Sequence, residues 1–329
     1  MSRTANKLRE TDVEEQNPAH RLRLRAAWMY FVEEMTQQEI AQRLGIGRVT
    51  VVRLLAAARE RNEVKIVIGD RLAECVQLER RLEERFGIGE AIVVPLSARG
   101  ADATGPVSAA AGEYISSKIR SDMKIGVGWG RTLISSLAYM SERPVDNVSV
   151  VSLLGGIMKA RGFNPAEFAW RFATLYQADC YLMTAPLVVD SPQTRATLIE
   201  RCGLNDLFEM ARTLDVIVTS AADMGPNATS HRSHLISDDD RESLINAGAV
   251  GDLLFNFLDA DGHLVDHPIN ERVMSVPLDI LKQVPVRVLA AGGASKVRAI
   301  AASLKVLAPT TLITDQYAAA EVLKLSAPN

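Results

Sequence analysis

Hydrophobic positions along the chain follow two different periods, and the change from one to the other divides the sequence. Before residue 90 they recur every three or four positions, which predicts helices over residues 20–34, 37–44, 48–61 and 71–85. From residue 90 onward, short apolar runs of strand length alternate with longer segments of helical period. This alternation predicts a parallel, doubly wound α/β sheet.

The elements of the predicted sheet can be placed from the same pattern. We expect strands at residues 91–94, 124–128, 148–154, 181–184, 216–220, 253–257, 286–291 and 311–314. Helices are expected at residues 109–119, 131–140, 165–177, 193–202, 204–214, 238–247, 296–307 and 318–325. In a doubly wound sheet, ligands bind beyond the carboxyl ends of the strands, where the strand order reverses. Ligand-binding residues are therefore expected just after strands.

The second and third helices carry the sequence features of a helix-turn-helix. Thr36 can cap the second helix, and Glu39, three residues later, can complete a capping box. Gly45 suits the tight turn that follows, and Ala41 is small where the two helices would cross. In this motif the N-terminal end of the recognition helix enters the major groove of DNA. The residues expected to contact DNA are Thr36, Gln37, Gly47, Arg48, Thr50, Val52 and Arg53.

The distribution of charge agrees with a DNA-binding module. Residues 19–65 contain nine Lys and Arg residues and five Glu residues, a net charge of about +4, although the whole chain has −3. The rest of the chain therefore carries about −7, so that a small basic module is joined to a larger acidic body. The alternative is a helical hairpin whose arginines are merely solvated, which does not account for the capping box and the turn glycine.

The segment MTQQEIAQRLGIGRVTVVRLLAAARERNEVKIVI resembles the N-terminal domain of the SorC family of sugar-responsive bacterial transcriptional regulators, also called DeoR-type sugar-binding regulators. In that family a Ser-Arg-Leu-Leu recognition segment is followed by Ala-Arg-Glu and a short strand, which implies a winged-helix-like domain. Here residues 52–55 read Val-Arg-Leu-Leu, so that Val52 replaces the serine. Thr50 is near enough to supply a hydroxyl, and the operator sequence is expected to differ accordingly.

The pattern divides the chain into four segments. Residues 1–18 are expected to form a disordered tail, 19–68 the helix-turn-helix domain, 69–89 a linking helix, and 90–329 the effector domain. The linking helix has a narrow apolar stripe and ends at Gly87, a suitable C-cap. It either packs on the larger domain or pairs with its copy in another subunit, and the sequence leaves both open.

Three glycine-containing turns follow predicted strands, at residues 128–132, 155–156 and 292–296. Backbone N–H groups at such turns bind anions, and Arg131 and Lys296 add positive charge. The first turn reads GxGxG rather than the dinucleotide fingerprint GxGxxG, and no Walker pattern is present. One such turn would be explained as a tight turn alone. Three on one expected face predict a site for a small phosphorylated or polyhydroxylated ligand.

The resemblance to the SorC family continues through this body and covers nearly the whole chain from Arg21. The segments GVGWGRTL, LLGG, GDLLFNFLDADG and AGGASKVRAIAASL match family blocks. The resemblance implies a fold similar to sugar-phosphate isomerases and CoA transferases, with a sugar or sugar-phosphate effector on the first glycine loop, Asp252 and Lys296. Asp accepts hydrogen bonds from hydroxyls, and Lys donates to carbonyl or phosphate oxygens. The candidate effector-binding residues are Gly128, Trp129, Gly130, Arg131, Thr132, Gly155, Gly156, Asp252, Gly292, Gly293 and Lys296.

Metal and cofactor sites are not expected. Cys75, Cys180 and Cys202 lack CxxC spacing, and His231 and His234 lie in a polar loop before a helix capped by aspartates. No apolar run is long enough to span a membrane, and the N-terminus lacks the apolar region of a signal peptide. A cytoplasmic protein is therefore expected.

Together these patterns and the resemblance to the SorC family predict a transcriptional regulator, a repressor, whose affinity for operator DNA is controlled by a sugar, sugar alcohol or sugar phosphate. The resemblance is closest to regulators of sugar-alcohol catabolism of the erythritol or sorbitol type. A homodimer or homotetramer is expected because two-fold operators mirror dimers. The alternative is a sugar-phosphate isomerase or transferase-like enzyme with a DNA-binding module. No Ser-His-Asp or paired-carboxylate arrangement is legible, so no catalytic residue is assigned.

Overall fold

The computed structural model describes residues 18–64, 73–158, 164–226, 228–232 and 235–325. The chain divides into two compact units, Met1–Gly69 and Asp70–Asn329. Three sequence-based expectations lie outside the described residues: the tail up to residue 17, the short strand after the third helix, and His234.

Three helices form the first unit, namely α1 at Pro18–Phe31, α2 at Gln37–Leu44 and α3 at Arg48–Glu60. The Thr36 hydroxyl accepts the Glu39 N–H at 3.3 Å, and the Glu39 carboxylate accepts the Thr36 N–H at 2.7 Å. Gly45 ends α2 with φ +65°, in the left-handed region that favours glycine. The helix-turn-helix prediction is confirmed.

The core of this unit is built from small and aliphatic side chains of all three helices. Its buried members are Ala26, Ala27, Met29, Ile40, Ala41, Val51, Leu55 and Ala58. An ion pair between buried Arg23 on α1 and Glu63 ties α1 to the chain that leaves α3, with Nε and Oε2 2.6 Å apart. The hydrogen bond from Arg23 lowers the pKa of Glu63.

Helices and strands alternate through the second unit. In chain order they are α4 Ala73–Phe86, β1 Glu90–Val94, α5 Thr104–Lys118, β2 Lys124–Val127, α6 Arg131–Ser136, β3 Ser149–Ser152, α7 Pro165–Tyr176, β4 Asp179–Tyr181, α8 Pro192–Arg201, α9 Asn205–Ala211, β5 Val216–Thr219, β6 Ala221–Asp223, α10 Thr229–Arg232, α11 Asp238–Asn246, β7 Gly251–Leu253, β8 Asn256–Leu258, α12 Pro268–Arg272, α13 Leu278–Leu281, β9 Val286–Ala290, α14 Val297–Leu307, β10 Thr311–Asp315 and α15 Gln316–Leu325.

The main sheet has the order β1-β10-β9-β5-β2-β3-β4, and every neighbouring pair is parallel. Strand residues alternate between two hydrophobic cores, as Val216 and Val218 show against Ile217 on β5. Helices α5, α6 and α7 contribute to one core, and α4, α9, α14 and α15 contribute to the other. The predicted doubly wound α/β fold is confirmed.

The strand order reverses between β2 and β5, which are neighbours in the sheet. From β2 the chain continues through α6 to β3 on one side, whereas from β5 it continues to β9 and β10 on the other side. The connections that leave these two strands therefore run in opposite directions and open a crevice at their carboxyl ends. This is the edge at which the sequence predicts a ligand site.

Helix α4 covers the free edge of the sheet. Its buried residues Cys75, Leu78 and Leu82 pack in the core, whereas Val76 stays 39% exposed, so this unit uses only part of the apolar stripe. On its flank, Glu79 and Glu83 accept the N–H groups of Val93 and Ala91 on edge strand β1, each at 2.9 Å. Two edge donors that have no neighbouring strand are thereby satisfied.

A second sheet, β6-β7-β8, is antiparallel and was not predicted. The single strand expected at residues 253–257 is wrong, because the chain reverses at Leu254 and Phe255, whose φ angles are +53° and +63°. Two-residue hairpins usually contain Asn or Gly, whereas this apolar run has the composition of a strand. The Asp252 carboxylate accepts the Phe255 N–H at 3.0 Å and supports the unusual turn.

Several predicted boundaries also differ from the structure. The strand expected at 181–184 lies earlier, at β4, because residues 179–181 are the ones that pair with β3. The helix expected from residue 109 begins at Thr104, whose N–H donates to Asp102 at 2.9 Å. The run expected to be one strand at 216–220 ends at Thr219, because the following residues pair in the second sheet.

Candidate functional site

The N-terminal half of α3 presents one face to solvent. Arg48, Val49, Val52 and Arg53 are exposed on it, whereas Val51 points into the core. Val49 is 83% exposed and was not among the predicted DNA contacts. Its place in the helical period, three residues before Val52 and four before Arg53, was the signal that could have identified it.

The first residues of α2 and α3 share one groove. Thr36, Gln37 and Arg48 all line it, which brings three of the predicted DNA contacts together. Gly47 immediately precedes α3 and is exposed, whereas Thr50 is half-buried and donates its N–H to the Gly47 carbonyl at 2.9 Å. Helix starts present free N–H groups, so this groove suits the phosphate backbone of a nucleic acid. The assignment of individual contacts remains a prediction.

In the second unit, a small cleft with a cavity volume of about 20 Å³ lies at the crevice between β2 and β5. It is lined by the turn after β2, the chain after β5, and single residues that follow or belong to other strands. The lining residues are Trp129, Gly130, Arg131, Ser220, Ala221, Ala222, Asp223, Ala228, Asp252 and Lys296. Five of the predicted effector residues therefore meet in one place, although they come from distant parts of the chain.

Asp252 is only 2% exposed, and its two oxygens have different surroundings. Oδ2 accepts the Phe255 N–H, whereas buried Oδ1 has no hydrogen-bond partner among the described residues. Burial raises the pKa of Asp252 to about 7; the Phe255 N–H and the charge of Lys296 oppose this rise, and the charge of Asp223 adds to it. An unpartnered buried oxygen is costly unless a ligand or water supplies a donor.

Lys296 is the cation that faces this carboxylate. Within the described ranges its ammonium group forms no hydrogen bond or ion pair, and the same holds for the guanidinium of Arg131. Burial lowers the pKa of Lys296, the nearby charge of Arg131 lowers it further, and the charges of Asp223, Asp252 and Asp102 raise it. Two cations held in a cleft without direct partners are a site for electronegative ligand atoms.

Sequence reasoning missed three polar residues at or beside the cleft. Asp223 Oδ2 accepts the Ser295 hydroxyl at 2.9 Å, and its Oδ1 accepts the Gly225 N–H at 2.6 Å. Ser220 follows β5 directly, so the rule that ligand residues follow strands could have found it. Asp223 carried no such signal, because the second sheet that positions it was not predicted. Asp102 lies near enough to influence the pKa of Lys296 by its charge.

Glycines and Trp129 shape the turn after β2. A Cβ on Gly128 would lie 2.7 Å from Leu254 Cδ2, and Gly130 has φ +132°. Trp129 is buried with its ring centroid 6.3 Å from that of Phe255. The turn is therefore packed directly against the hairpin that carries Asp252.

The remaining predicted effector residues do not line the cleft. Thr132 is buried, and its carbonyl accepts the Ser108 hydroxyl at 2.9 Å. Gly155 and Gly156 pack against the segment that contains Ala185 and Pro186. Close packing between two backbones explains Gly155, because a Cβ there would lie 2.7 Å from two carbonyl oxygens, whereas a Cβ on Gly156 would make only an ordinary contact with Asn164 at 3.8 Å.

Gly292 and Gly293 lie beside the cleft and not in its lining. The Gly293 N–H donates to the buried Asp315 carboxylate at 2.6 Å, and a Cβ on Gly292 would lie 2.7 Å from the same carboxylate. The pair therefore positions the short turn that ends in Lys296, which spans Ala294–Lys296.

The described residues show neither a metal-binding group nor a membrane-spanning helix. They contain no group of three or more His, Cys, Asp and Glu residues placed to hold a metal ion. They also contain no helix with the length and apolar character needed to cross a membrane.

Known proteins match both units. Residues 70–324 match the family model described as "Putative sugar-binding domain", and residues 17–61 match the model of sigma-70 region 4. The erythritol catabolism regulatory protein EryD of Brucella abortus is 30% identical over 300 residues, which cover 91% of this chain and 95% of that protein. The deoxyribonucleoside regulator of Bacillus subtilis is 30% identical over 300 residues, which cover 91% and 96%.

A solved structure extends the likeness in fold across both units. The crystal structure of the full-length sorbitol operon regulator SorC from Klebsiella pneumoniae matches with a TM-score of 0.68. The match covers 92% of this chain and 98% of that one, at 24% sequence identity. At this identity the likeness concerns the fold.

Proposed function

Since the chain belongs to the SorC family of sugar-binding transcriptional regulators, we propose that it represses a carbohydrate operon and that a carbohydrate bound in the cleft controls its affinity for operator DNA. The first unit binds the operator through α3 and the groove at the starts of α2 and α3. Two such units bind a two-fold operator, so the working assembly is a homodimer or a homotetramer. Binding to the chromosome places this action in the cytoplasm.

One observation carries the proposal for the cleft. Asp252 Oδ1 is buried, Lys296 is half-buried, and neither that oxygen nor the Lys296 ammonium has a direct partner among the described residues, although both line the same cleft at the switch point of the sheet. A ligand hydroxyl can donate to the carboxylate while another ligand oxygen accepts from the ammonium. Such an arrangement suits a compound with several neighbouring oxygen atoms.

The charges around the cleft define the class of effector. Three carboxylates, from Asp102, Asp223 and Asp252, lie near two cations, Arg131 and Lys296. Carboxylates suit hydroxyl groups, and the cations suit a hydroxyl, carbonyl or phosphate oxygen. Sugars, sugar alcohols and their phosphates share this chemistry. The relative EryD is named for erythritol catabolism, which makes erythritol and its phosphate the first compounds to test.

We further propose that the cleft senses its ligand without transforming it. Catalysis of isomerisation or group transfer needs a base or nucleophile within reach of the reacting atom. Asp252 already uses one oxygen to hold the hairpin turn, and the relatives are named as regulators. A compound that binds should therefore be recovered unchanged after incubation with the protein, as NMR of the mixture would measure.

Thermal denaturation against a panel of sugars, polyols and their phosphates tests the effector site. A ligand at about 100 times its dissociation constant should stabilise the protein by about 2.7 kcal/mol, because it binds the folded state only. The Lys296→Met variant keeps the length of the side chain and should abolish this shift. Lys282→Met, at an exposed position of the same unit, is the matched control and should retain it.

The outcomes of this panel separate the two ligand chemistries. A hit among phosphates assigns Arg131 and Lys296 to the phosphate, whereas a hit among free polyols assigns the main role to Asp252. A shift that Lys296→Met retains would contradict the cleft as the effector site. No shift with any compound would restrict the proposal to DNA binding by the first unit.

A further inference from the structure

Helix α1 has a second apolar face that the core of its own unit does not use. Leu24, Trp28 and Val32 recur every fourth residue and are 39%, 60% and 56% exposed. Val32 continues the helical geometry beyond the end of α1, since its N–H donates to the Trp28 carbonyl at 2.9 Å. Residues at this spacing lie on one side of a helix. The three side chains therefore form one continuous stripe, here called the outer stripe.

The outer stripe is separate from the buried side of α1. Ala26, Ala27 and Met29 fill the core against α2 and α3, whereas the outer stripe points away from it. A helix that is apolar on two sides usually packs against something on each of them. An exposed tryptophan flanked by two aliphatic residues is also the kind of residue that dominates the energy of an interface.

Charge differs between the two ends of the outer stripe. Exposed Arg21 and Arg25 flank Leu24 at the N-terminal end, and exposed Glu33 and Glu34 follow Val32 at the C-terminal end. None of these four charged side chains forms an ion pair with a described residue. If two copies of α1 lie antiparallel across a two-fold axis at Trp28, Leu24 of each copy lies opposite Val32 of the other. The basic end of each then lies beside the acidic end of its partner.

We propose that the outer stripe is the two-fold contact between the DNA-binding units of two copies of this chain. The stripe is self-complementary in shape because its aromatic residue is central and its aliphatic residues are at the ends. It is self-complementary in charge only in the antiparallel arrangement. The proposal rests on the proposed function, since it supplies the symmetric pair of helix-turn-helix motifs that a two-fold operator requires.

The test compares binding to one half-site and to two. DNA is first selected from a random pool by the full-length protein, and probes with one or two copies of the selected half-site are then made. The measured quantity is the ratio of the two affinities. Trp28→Ala should lower this ratio about tenfold or more, as loss of a central aromatic contact does, and leave affinity for the single half-site unchanged. Trp170→Ala is the matched control, because Trp170 on α7 is 62% exposed and should not matter.

Charge reversal gives a second, independent readout in the full-length protein. Changing Arg21 and Arg25 to Glu places like charges opposite Glu33 and Glu34 of the partner, and should lower the affinity ratio. Changing Glu33 and Glu34 to Arg should lower it in the same way. All four changes together exchange the two ends and should restore the ratio, a rescue that no purely structural role of these residues would produce.

Each other outcome overturns the proposal in a recognisable way. An unchanged ratio in Trp28→Ala would show that the outer stripe is not the contact between DNA-binding units. A loss of single half-site affinity in that variant would assign the stripe to DNA or to folding. If the four-fold variant fails to rescue while each reversed pair lowers the ratio, the antiparallel pairing is wrong. Failure of the wild-type protein to select any DNA would contradict the proposed function instead.

Discussion

Single residues can serve two tasks at the cleft that we propose as the effector site, and Asp252 shows this most directly. One of its carboxylate oxygens holds the turn of a hairpin whose two central residues are not glycines, and the other faces the cleft without a partner. The first task explains why a buried carboxylate is retained in the folded chain, and the second leaves an acceptor for a ligand. Because its pKa is raised in the folded state, the contribution of Asp252 to the free energy of unfolding depends on pH.

We predict that Asp252→Asn gains stability relative to wild type as the pH rises. The folded-state pKa of about 7 lies above the unfolded value of 3.8, so that between these values the folded protein binds the proton more tightly. Stability from this group is therefore present below about pH 4 and is lost progressively up to about pH 7. Between pH 5 and pH 8, urea unfolding should show a relative gain for the variant of roughly 2 to 3 kcal/mol.

A matched control accompanies this measurement. Asp266→Asn removes an exposed carboxylate of the same unit and should leave the pH dependence of wild type in place. A difference between wild type and Asp252→Asn that does not change with pH would show that Asp252 is ionised throughout. The charge of Lys296, which lowers the pKa of Asp252, would then outweigh burial and the charge of Asp223, which raise it.

At the scale of the element, α3 has an exposed surface, predicted to face DNA, that is more apolar than its arginines suggest. Val49, Val52 and Ala56 are exposed along one face, with Arg48 and Arg53 beside them. Arginine reads guanine or holds a phosphate, whereas an apolar side chain in the major groove contacts the methyl group of thymine. The family segment that this chain resembles has a serine at the position of Val52, so we expect the change to favour contact with thymine.

We predict that Val49 contacts a thymine methyl group of the operator. Replacing each thymine of the selected half-site in turn by deoxyuridine, which lacks only that methyl group, should weaken wild-type binding about fourfold at one position. In Val49→Ala the same replacement should have little effect, because the contact is already lost. Gln42→Ala, at an exposed position on α2, is the control variant. Equal sensitivity to deoxyuridine in wild type and Val49→Ala would refute the contact.

At the scale of the whole molecule, a regulator of this family links its sugar-binding domain to its DNA-binding unit, and we propose that the cleft is where the effector acts. A ligand can shift this equilibrium only if it binds the DNA-competent and DNA-incompetent states unequally. Linkage then makes the coupling reciprocal between the two sites. Family membership establishes that the chain is a regulator with a sugar-binding domain and a DNA-binding unit. The biological response depends on whether the effector raises or lowers the affinity for operator DNA.

We predict that the effector lowers operator affinity and that operator DNA lowers effector affinity by the same factor. The first factor comes from fluorescence anisotropy of labelled operator with and without effector, and the second from calorimetric titration of effector with and without operator. The Lys296→Met variant should bind operator normally and show no effect of effector. Two unequal factors would mean that the effector acts at a second site as well as in the cleft.

Periodicity and turn chemistry in the sequence were sufficient for the fold class and for the helix-turn-helix. Thr36, Glu39 and Gly45 act on residues within a few positions of themselves, so their caps and turn are legible locally. The alternation of strands and helices gave the doubly wound sheet for the same reason. The rule that ligand residues follow strands then selected Trp129, Gly130, Arg131 and Lys296, and the resemblance to the SorC family implied Asp252. The structure brings all five into one cleft.

Only the tertiary structure decided the second sheet, the roles of the remaining glycines and the inclusion of Asp223. The turn at Leu254 and Phe255 contradicts local preference. The Asp252 carboxylate that accepts the Phe255 N–H is close in sequence, but the burial of both turn residues depends on distant parts of the chain. Gly155 matched the expected motif, but its requirement for glycine comes from a backbone distant in sequence. Local conformation follows from neighbouring residues, whereas burial and the absence of a partner depend on what the rest of the chain brings near.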